Sequence, residues 1–298
     1  MLHRKTYRLY EEEDRRLVYE DVLNEDGEIL SFIDYESPDL VEGRNEYNQD
    51  GLVISEVEIL NGQESSKTIY DYNDAGDLVN MKQYVAGELF EVLTSVFFEN
   101  GYNTVKVQHG EEVESFMETI EDHLTIREFY AEGALYERQE VVHEPDSLIE
   151  TITITDGDGV PVANREILYD KADRQLRFEE KDAKGNVLKL IQYEYDEELL
   201  IFEKLEMYDS DEYYEITYDY DERKNLISEE IKTPSGQLLE YHKRIFDENN
   251  CIISENGYSV GSFNAIYGTH VNGEKYNFEH EYQETHSANL RPSTDTDS

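Results

Sequence analysis

The stretch "EITYDYDERKNLI", residues 215–227, alternates tyrosine and isoleucine with acids, reaches a short polar break, and then resumes with aliphatic residues. Ile216, Tyr218 and Tyr220 share one parity, and the residues between them are polar or acidic. On a pleated strand the two parities point to opposite faces. The stretch therefore predicts a strand with one packed face. The Asp after the last tyrosine lies where the strand enters a turn, and its short carboxylate can accept hydrogen bonds from turn amides.

Turn signals of this kind recur along most of the chain. Asn-Gly and Asp-Gly pairs suit type I′ hairpin turns, because both central residues of such a turn must accept positive φ. The Asn-Gly pairs are Asn61-Gly62, Asn100-Gly101, Asn256-Gly257 and Asn272-Gly273, and the Asp-Gly pairs are Asp26-Gly27, Asp50-Gly51, Asp156-Gly157 and Asp158-Gly159. About eight residues remain between successive turns, which is a normal strand length. Repetition of one hairpin-sized unit predicts a repeat architecture, in which neighbouring units bury each other's faces.

We therefore predict an all-β fold, an antiparallel meander of repeated β-hairpins with at most one or two short helices. The segment "EEVESFMETIEDHL", residues 111–124, competes with this prediction because its apolar residues also follow helical spacing. The turns on either side favour strands there. We expect one domain over residues 1–283. Residues 284–298 have no apolar periodicity and are expected to form a disordered tail.

The charge of the chain limits its partners. Hydrophobic residues make up 38% of the sequence, but 24 Tyr and 11 Phe supply enough apolar surface for a folded protein. The net charge is −44, from 70 acidic and 26 basic side chains. Such a field repels nucleic-acid phosphates and anionic membranes, and it attracts basic proteins. The plain alternative is a very soluble surface with no partner attached to it.

The cysteine content and the N-terminal segment bear on the compartment. The only cysteine is Cys251, so no disulfide can form within the chain. The first residues lack the apolar stretch of a signal peptide, and no run of about 18 apolar residues could span a bilayer. We expect a cytoplasmic, soluble protein.

The recurring string is an aromatic residue, Asp or Asn, two or three polar residues, often Gly or Asn, and then an aliphatic residue. It occurs as "YNQDGL" (47–52), "YNDAGDL" (72–78), "YDKADRQL" (169–176) and "YDERKNL" (220–226). This pattern resembles the tyrosine–aspartate (YD) repeat of the Rhs family, over about residues 20 to 260. "FFENGYNTVKV" and "FYAEGALYERQ" are also similar to MORN-type repeats, some of which are carried by bacterial antitoxin-like proteins.

The resemblance implies an elongated, coiling antiparallel sheet and an association with bacterial toxin systems. The spacing of Gly27, Gly51 and Gly76, 24 and 25 residues apart, is longer than the compact YD unit. The arginine that usually follows the turn glycine is mostly missing, and no protease-like cleavage segment or toxin domain follows the repeats. A small free-standing protein of this kind fits an immunity or antitoxin-type partner better than a toxin.

Several short motifs look catalytic or metal-binding, but their sequence context does not support that role. "GYSVG", residues 257–261, matches a nucleophile elbow, but it follows a hairpin signal and no helix pattern comes after it, so Ser259 is not expected to be a nucleophile. "DGDG", residues 156–159, resembles the start of a calcium loop, yet Ile167 stands where the twelfth, acidic ligand would be. The eight histidines show no zinc spacing. We expect no enzyme activity, no cofactor and no metal site.

The densest acidic segment is the candidate partner-binding region. Residues 193–222 carry thirteen Asp or Glu and one Lys, with tyrosines interleaved. Acids with exposed tyrosines suit the capture of a basic protein. The residues expected to dominate that capture are Glu194, Asp196, Glu197, Glu198, Asp209, Asp211, Asp219, Asp221 and Glu222.

The sequence thus predicts a non-enzymatic interaction protein that binds and neutralises a basic partner such as a toxin domain. Two alternatives stay open: a structural relative or fragment of an Rhs-type shell, and a nucleic-acid mimic that inhibits a DNA-binding protein. The alternative for the acidic segment is a solvated sheet face whose tyrosines all point inward.

Overall fold

The computed structural model describes residues 1–10, 14–144, 147–210, 212–259, 263–264, 269–270 and 274–291. Every regular element in these residues is a β-strand. The strands are β1 (Leu2–Leu9), β2 (Arg15–Leu23), β3 (Ile29–Asp34), β4 (Val41–Tyr47), β5 (Val53–Leu60), β6 (Gln63–Tyr72), β7 (Leu78–Val85), β8 (Glu88–Phe98), β9 (Gly101–Gln108), β10 (Glu111–Glu121), β11 (Leu124–Ala131), β12 (Ala134–His143), β13 (Ile149–Asp156), β14 (Pro161–Tyr169), β15 (Gln175–Asp182), β16 (Val187–Asp196), β17 (Leu199–Met207), β18 (Glu212–Tyr220), β19 (Leu226–Lys232), β20 (Leu238–Phe246), β21 (Ile252–Ser259), β22 (Phe263–Asn264), β23 (Thr269–His270) and β24 (Glu274–Glu284).

The predicted all-β antiparallel meander is confirmed. Twenty-two strands belong to an antiparallel sheet, and β22 and β23 form a separate two-stranded pair. The segment 111–124 is strand β10 followed by the first residue of β11, as the turn rhythm indicated. Cross-strand contacts stabilise it: Phe116 faces Phe129, and Arg127 donates from Nε to Glu118 at 2.8 Å. No helix with the length and apolar character of a membrane span occurs among the described residues.

The chain forms two compact units. Unit 1 comprises Met1–Val96, Thr104–Val113 and Asn277–Ser298, and unit 2 comprises Phe97–Asn103 and Glu114–Tyr276. The single domain expected over residues 1–283, followed by a disordered tail, stays a prediction.

In unit 1 each strand from β1 to β7 pairs with the next one along the chain. Strand β1 has a second neighbour, because Leu2 to Arg8 also pair with β24 from Glu284 back to Phe278. In unit 2 each strand from β10 to β20 pairs with the next one in the same manner. Successive turns of such a meander alternate between the two ends of the strands.

Eight hairpin loops share one five-residue design, shown by the loop from Asp221 to Asn225. The Asp221 carboxylate accepts hydrogen bonds from the backbone amides of Arg223 and Asn225, both at 2.9 Å. Lys224 has positive φ, 66°, and its amide closes the turn onto the Asp221 carbonyl at 3.0 Å. The bridging residue of the other loops is Asn24, Asn48, Asn73, Asp156, Asp170, Asp182 or Asp247.

This design corrects the prediction of type I′ turns at the Asp-Gly pairs. Gly27, Gly51 and Gly159 have positive φ, but the Asp before each of them does not, because these glycines hold the fourth position of the five-residue loop. At Asp156-Gly157 the Asp is the bridging residue. A Cβ on Gly157 would lie 2.0 Å from the Leu135 carbonyl oxygen, so glycine is needed there for close backbone approach.

The Asn-Gly predictions have mixed outcomes. Asn61 and Gly62 both have positive φ, 51° and 79°, as a type I′ turn requires. The prediction at Asn100-Gly101 is wrong by one residue, because Gly101 already begins β9. The prediction at Asn256-Gly257 is wrong, because this pair lies inside β21, where the ring of Tyr276 occupies the space of a Cβ on Gly257, 2.3 Å away. Asn272-Gly273 lies outside the described residues.

The tyrosines before the turns tie neighbouring hairpins together. The hydroxyl of Tyr220 donates to the Leu200 carbonyl at 2.9 Å, and that of Tyr195 donates to the Gln175 carbonyl at 3.0 Å. Tyr47 and Tyr72 make the same contact in unit 1. In these four repeats the tyrosine therefore reaches back to the start of a strand in the preceding hairpin, which gives the tyrosine–acid string a structural reason.

The interior of each unit holds few large apolar side chains. In unit 2 a core cluster of Val141, Ile152, Ile154 and Ala163 is joined by Ile167. Among the described residues of unit 1 the buried hydrophobic side chains are Val18, Val22 and Ile33, and two acids of β2 are also buried.

These two acids, Glu20 and Asp21, both have internal partners. Asp21 has no exposed surface, and it accepts two hydrogen bonds from the Arg4 guanidinium. Glu20 contacts His3 Nε2 at 2.7 Å and accepts from the Tyr35 hydroxyl at 3.1 Å. A buried carboxylate is tolerated only when it is paired and hydrogen-bonded, and both of these meet that condition.

Candidate functional site

The acidic residues of 193–222 belong to unit 2, some within strands β16 to β18 and others in the turns at the two ends of these strands. Glu197 and Glu198 form the turn between β16 and β17, and Asp221 opens the loop between β18 and β19. These two connections are an even number of strands apart in a meander, so they lie at the same end. Lys224 bridges them, because its Nζ contacts Glu198 and lies 4.0 Å from Glu197 Oε2. We call this end, defined by residues 196–198 and 219–222, the acidic turn patch.

The structure places the nine predicted site residues as follows. Asp196, Glu197, Glu198, Asp219, Asp221 and Glu222 belong to the acidic turn patch. Glu194 is exposed on β16, on the sheet face that also carries Asp219. Asp209 is exposed in the connection between β17 and β18, which lies at the opposite end of the strands. Asp211 lies outside the described residues.

The carboxylates of the patch differ in what holds them. Hydrogen bonds from the Asn225 side chain and from the turn amides lower the pKa of Asp221, so this group is bound to its own loop. A hydrogen bond from Lys224 lowers the pKa of Glu198. Glu197 has 82% of its side chain exposed, and Glu222 is exposed as well. The patch thus offers six acids, and the adjoining residues Arg223 and Lys224 are the cations that contact them.

The tyrosines that alternate with these acids along β16 and β18 are half-buried. Along β16, Tyr193 and Tyr195 are half-buried whereas Glu194 and Asp196 are exposed, the same kind of alternation that the sequence predicts for residues 215–227. Burial raises the pKa of Tyr218, and the neighbouring Glu203 and Glu229 raise it further. With the hydroxyls of Tyr195 and Tyr220 already donated to carbonyl oxygens, the acids are the groups of this patch that face solvent.

A groove of about 770 Å³ adjoins the patch in unit 2. Asp219 and Asp221 line it on one side, and Lys243 and Arg244 of β20 line it on the other. Its apolar lining includes Ile245, which is 55% exposed. Sequence reasoning missed these β20 residues, although the cations that follow "LLEYH" are a visible break in the acidic composition.

The structure describes only parts of the apparent catalytic and metal motifs. Strand β21 ends at Ser259, and residues 260–262 lie outside the described residues, so the expectation that Ser259 is not a nucleophile stays a prediction. The Asp156 carboxylate of "DGDG" accepts hydrogen bonds from the amides of Asp158 and Val160, so it bridges a turn. Among the described residues, no group of three or more His, Cys, Asp or Glu side chains is arranged to hold a metal ion.

Comparison with known proteins adds only distant likenesses. No family model and no curated protein matches the sequence. The fold is similar to a porin-like protein from Bacteroides uniformis, with a TM-score of 0.38, 9% identity, and coverage of 94% of this chain and 97% of that one. It is also similar to the structure of TcdB2-TccC3 without its hypervariable C-terminal region, with a TM-score of 0.27, 14% identity, and coverage of 82% of this chain and 17% of that one. At such low similarity neither protein's role transfers to this chain.

Proposed function

We propose that this chain is a non-enzymatic interaction protein that binds a basic protein through the acidic turn patch, in the manner of an immunity protein covering the cationic surface of a toxin domain. The observation that carries the proposal is the clustering of exposed carboxylates from two sequence-distant turns at one end of unit 2. Charge complementarity of this kind accelerates encounter and selects the partner more than it adds affinity.

The form of the patch supports a protein partner. The loop that follows Asp221 is held by hydrogen bonds from Asn225 to the Asp221 carboxylate, so this part of the patch has a preorganised backbone. Asn225 also contacts Asn250 at 3.1 Å, which links a third loop to the same end. The adjoining groove adds apolar surface and two cations, which an acidic or apolar side chain of the partner could contact. Capture would occlude the lysines and arginines that a basic partner uses on its own target.

The first experiment is a pull-down from the source lysate at roughly 0.05 and 0.5 M salt, followed by kinetics with the captured protein. Association should slow sharply as the Debye length falls from above about 10 Å to a few ångström, with dissociation changing less. Cytochrome c serves as a generic basic protein for comparison.

A matched pair of triple variants locates the binding surface. Glu197→Gln, Glu198→Gln and Glu222→Gln neutralise the patch, whereas Glu25→Gln, Asp26→Asn and Asp50→Asn neutralise three exposed hairpin acids of unit 1. The first set should slow association at least several-fold more than the second. Equal effects of the two sets, or binding that ignores salt, would show that the patch is only a solvated end of the sheet.

A further inference from the structure

Five aromatic rings in unit 2 form a continuous row across five consecutive strands. Ring centroids are 5.5 Å apart for Phe97 and Tyr102, 5.6 Å for Tyr102 and Phe116, 4.9 Å for Phe116 and Phe129, and 6.3 Å for Phe129 and Tyr136. We call this row the aromatic ladder. One ring comes from each of β8 to β12, so the row runs across the strands. With strands about 4.8 Å apart, it spans roughly 20 Å.

The two ends of the ladder are open to solvent. Phe97 is 40% exposed and Tyr136 is 53% exposed. Tyr136 stands at a β-bulge, because Phe129 pairs with Glu137 and Tyr130 pairs with Leu135, which leaves residue 136 without a cross-strand partner in β11. Bulges re-aim side chains, and this one brings the Tyr136 ring beside Phe129. Large exposed aromatic surface of this kind is characteristic of an interaction site.

Carboxylates accompany the rings on the same sheet face. Glu114 and Glu118 flank Phe116 at positions two residues before and after it, and Glu137 is the cross-strand partner of Phe129. Arg127, on the same face, is already paired with Glu118 at 2.8 Å. Three acids, Glu114, Glu118 and Glu137, thus lie on this face with the paired cation Arg127. The face therefore combines π-surfaces with negative charge.

The chain itself shows what such a combination binds. In unit 1 the Arg15 guanidinium lies 3.6 Å from the Tyr7 ring centroid and 2.6 Å from a Glu281 oxygen. In unit 2 the Arg174 guanidinium lies 4.9 Å from the Tyr195 ring and 2.6 Å from an Asp170 oxygen. Each arginine is thus held between a ring and a carboxylate. No lysine or arginine among the described residues stacks on a ring of the ladder.

We propose that the aromatic ladder docks an extended, arginine-rich peptide segment, with guanidinium groups over the rings and hydrogen-bonded to the flanking carboxylates. In an extended chain, alternate side chains on one face stand about 6.6 Å apart, which is close to the ring spacing. About four such side chains fit along the roughly 20 Å of the ladder. This inference rests on the proposed function, because both require a basic partner. It adds the aromatic ladder as a second surface of this chain that contacts the same partner.

The test uses a fluorescein-labelled peptide of alternating arginine and glycine, with binding followed by fluorescence anisotropy at about 0.3 M salt so that the general field is screened. The variants Phe97→Ser and Tyr136→Ser should each weaken binding about three- to tenfold. The control Tyr208→Ser removes a ring that is 43% exposed outside the ladder, and it should leave binding unchanged. A lysine–glycine peptide should bind more weakly, because an ammonium lacks the planar face that stacks on rings.

A measurement on the unaltered protein keeps the proposal testable if a ladder variant fails to fold. The same peptide carrying a photoreactive benzoylphenylalanine should crosslink within residues 97–137. Crosslinks confined to residues 194–225, no binding by the unaltered protein, or tighter binding of a proline-rich peptide would overturn the ladder proposal. If only the variant at Glu197, Glu198 and Glu222 loses peptide binding, the ladder proposal is also wrong, but the proposed function is not contradicted. If the peptide still binds at the ladder but the triple variant does not change binding of the whole partner protein, only the proposed function is contradicted.

Discussion

The acids of strand β2 and those of the acidic turn patch show two different uses of the same side-chain type. Asp21 and Glu20 are buried, and each is matched by a proton donor or a cation from another segment. Glu197 and Glu222 are exposed, and six patch acids share two cations. The acids that produce the net charge of −44 therefore have different roles in different regions of the chain. The buried acids of β2 are paired within the fold, whereas acids such as Glu222 in the patch are exposed to solvent.

The largest effect should come from removing the cation of the buried pair. Arg4→Met leaves Asp21 buried without its partner, so we expect a loss of about 3 kcal/mol or more in the free energy of unfolding. Urea unfolding followed by far-ultraviolet circular dichroism measures it. The control Arg223→Met removes a cation that lies 3.7 Å from Asp221 in the exposed patch, and it should cost less than about 0.5 kcal/mol.

A double variant sharpens the same test. Arg4→Met combined with Asp21→Leu replaces the pair with apolar residues and should recover much of the lost stability, because no uncompensated charge remains. Equal losses in the Arg4 and Arg223 variants would erase the distinction between the two regions.

Alkaline pH should have the next largest effect. Burial and a hydrogen bond to Glu56 raise the pKa of Tyr70 from 10.0 to about 12. Because the folded pKa is raised, this contribution to stability is fully present below pH 10 and is lost as the pH rises through about 12. The urea midpoint should therefore fall over this interval, and it should fall less steeply in Tyr70→Phe. Tyrosinate absorbance during the same titration identifies the pH at which the hydroxyls ionise.

A smaller effect should separate two neighbours within the patch. Asp221→Ala removes the acceptor for two loop amides and should lower Tm by about 2 °C, whereas Glu222→Ala should leave Tm unchanged. Asp221→Asn should preserve stability, because Asn24, Asn48 and Asn73 hold the same position in other loops. A thermal melt of the three variants decides the matter. Similar losses for Asp221→Ala and Glu222→Ala would mean that the carboxylate does not hold the loop.

The smallest effect is expected from neutralising the exposed acids themselves. Glu197→Gln with Glu222→Gln relieves self-repulsion, so Tm should stay unchanged or rise by about 1 °C, and most clearly at low salt. A clear loss of stability would mean that Glu197 and Glu222 stabilise the fold, as the buried acids of β2 do.

The local parts of the fold could be predicted from the sequence because their causes are local. Alternation along β16 and the polar break after Tyr220 depend on residues within one hairpin. The error at Asn256-Gly257 arose because Tyr276, nineteen residues beyond Gly257, decides that this pair stays in a strand. The loop type at Gly27 was missed because a glycine at the fourth loop position and one in a type I′ turn look alike in sequence.

The site was harder to predict, for reasons of topology. Asp209 and Glu197 are close in sequence, yet consecutive turns of a meander lie at opposite ends of the strands, and counting the strands would have separated them. The burial of Asp21 depends on Arg4 in another strand, seventeen residues away. The aromatic ladder draws one ring from each of five strands, so no single stretch of sequence contains it.

The pairing of β1 with β24 has a consequence for the order of folding. Most strand pairs join neighbours in sequence, so their loop-closure entropy is small and they can form hairpin by hairpin. Thr6 and His280 are 274 residues apart, and their contact must wait until β24 has been synthesised. Until then one edge of β1 presents unpaired amides and carbonyls, which is a template for pairing with another chain. Slow synthesis or truncation before residue 278 should therefore favour aggregation through the first strand.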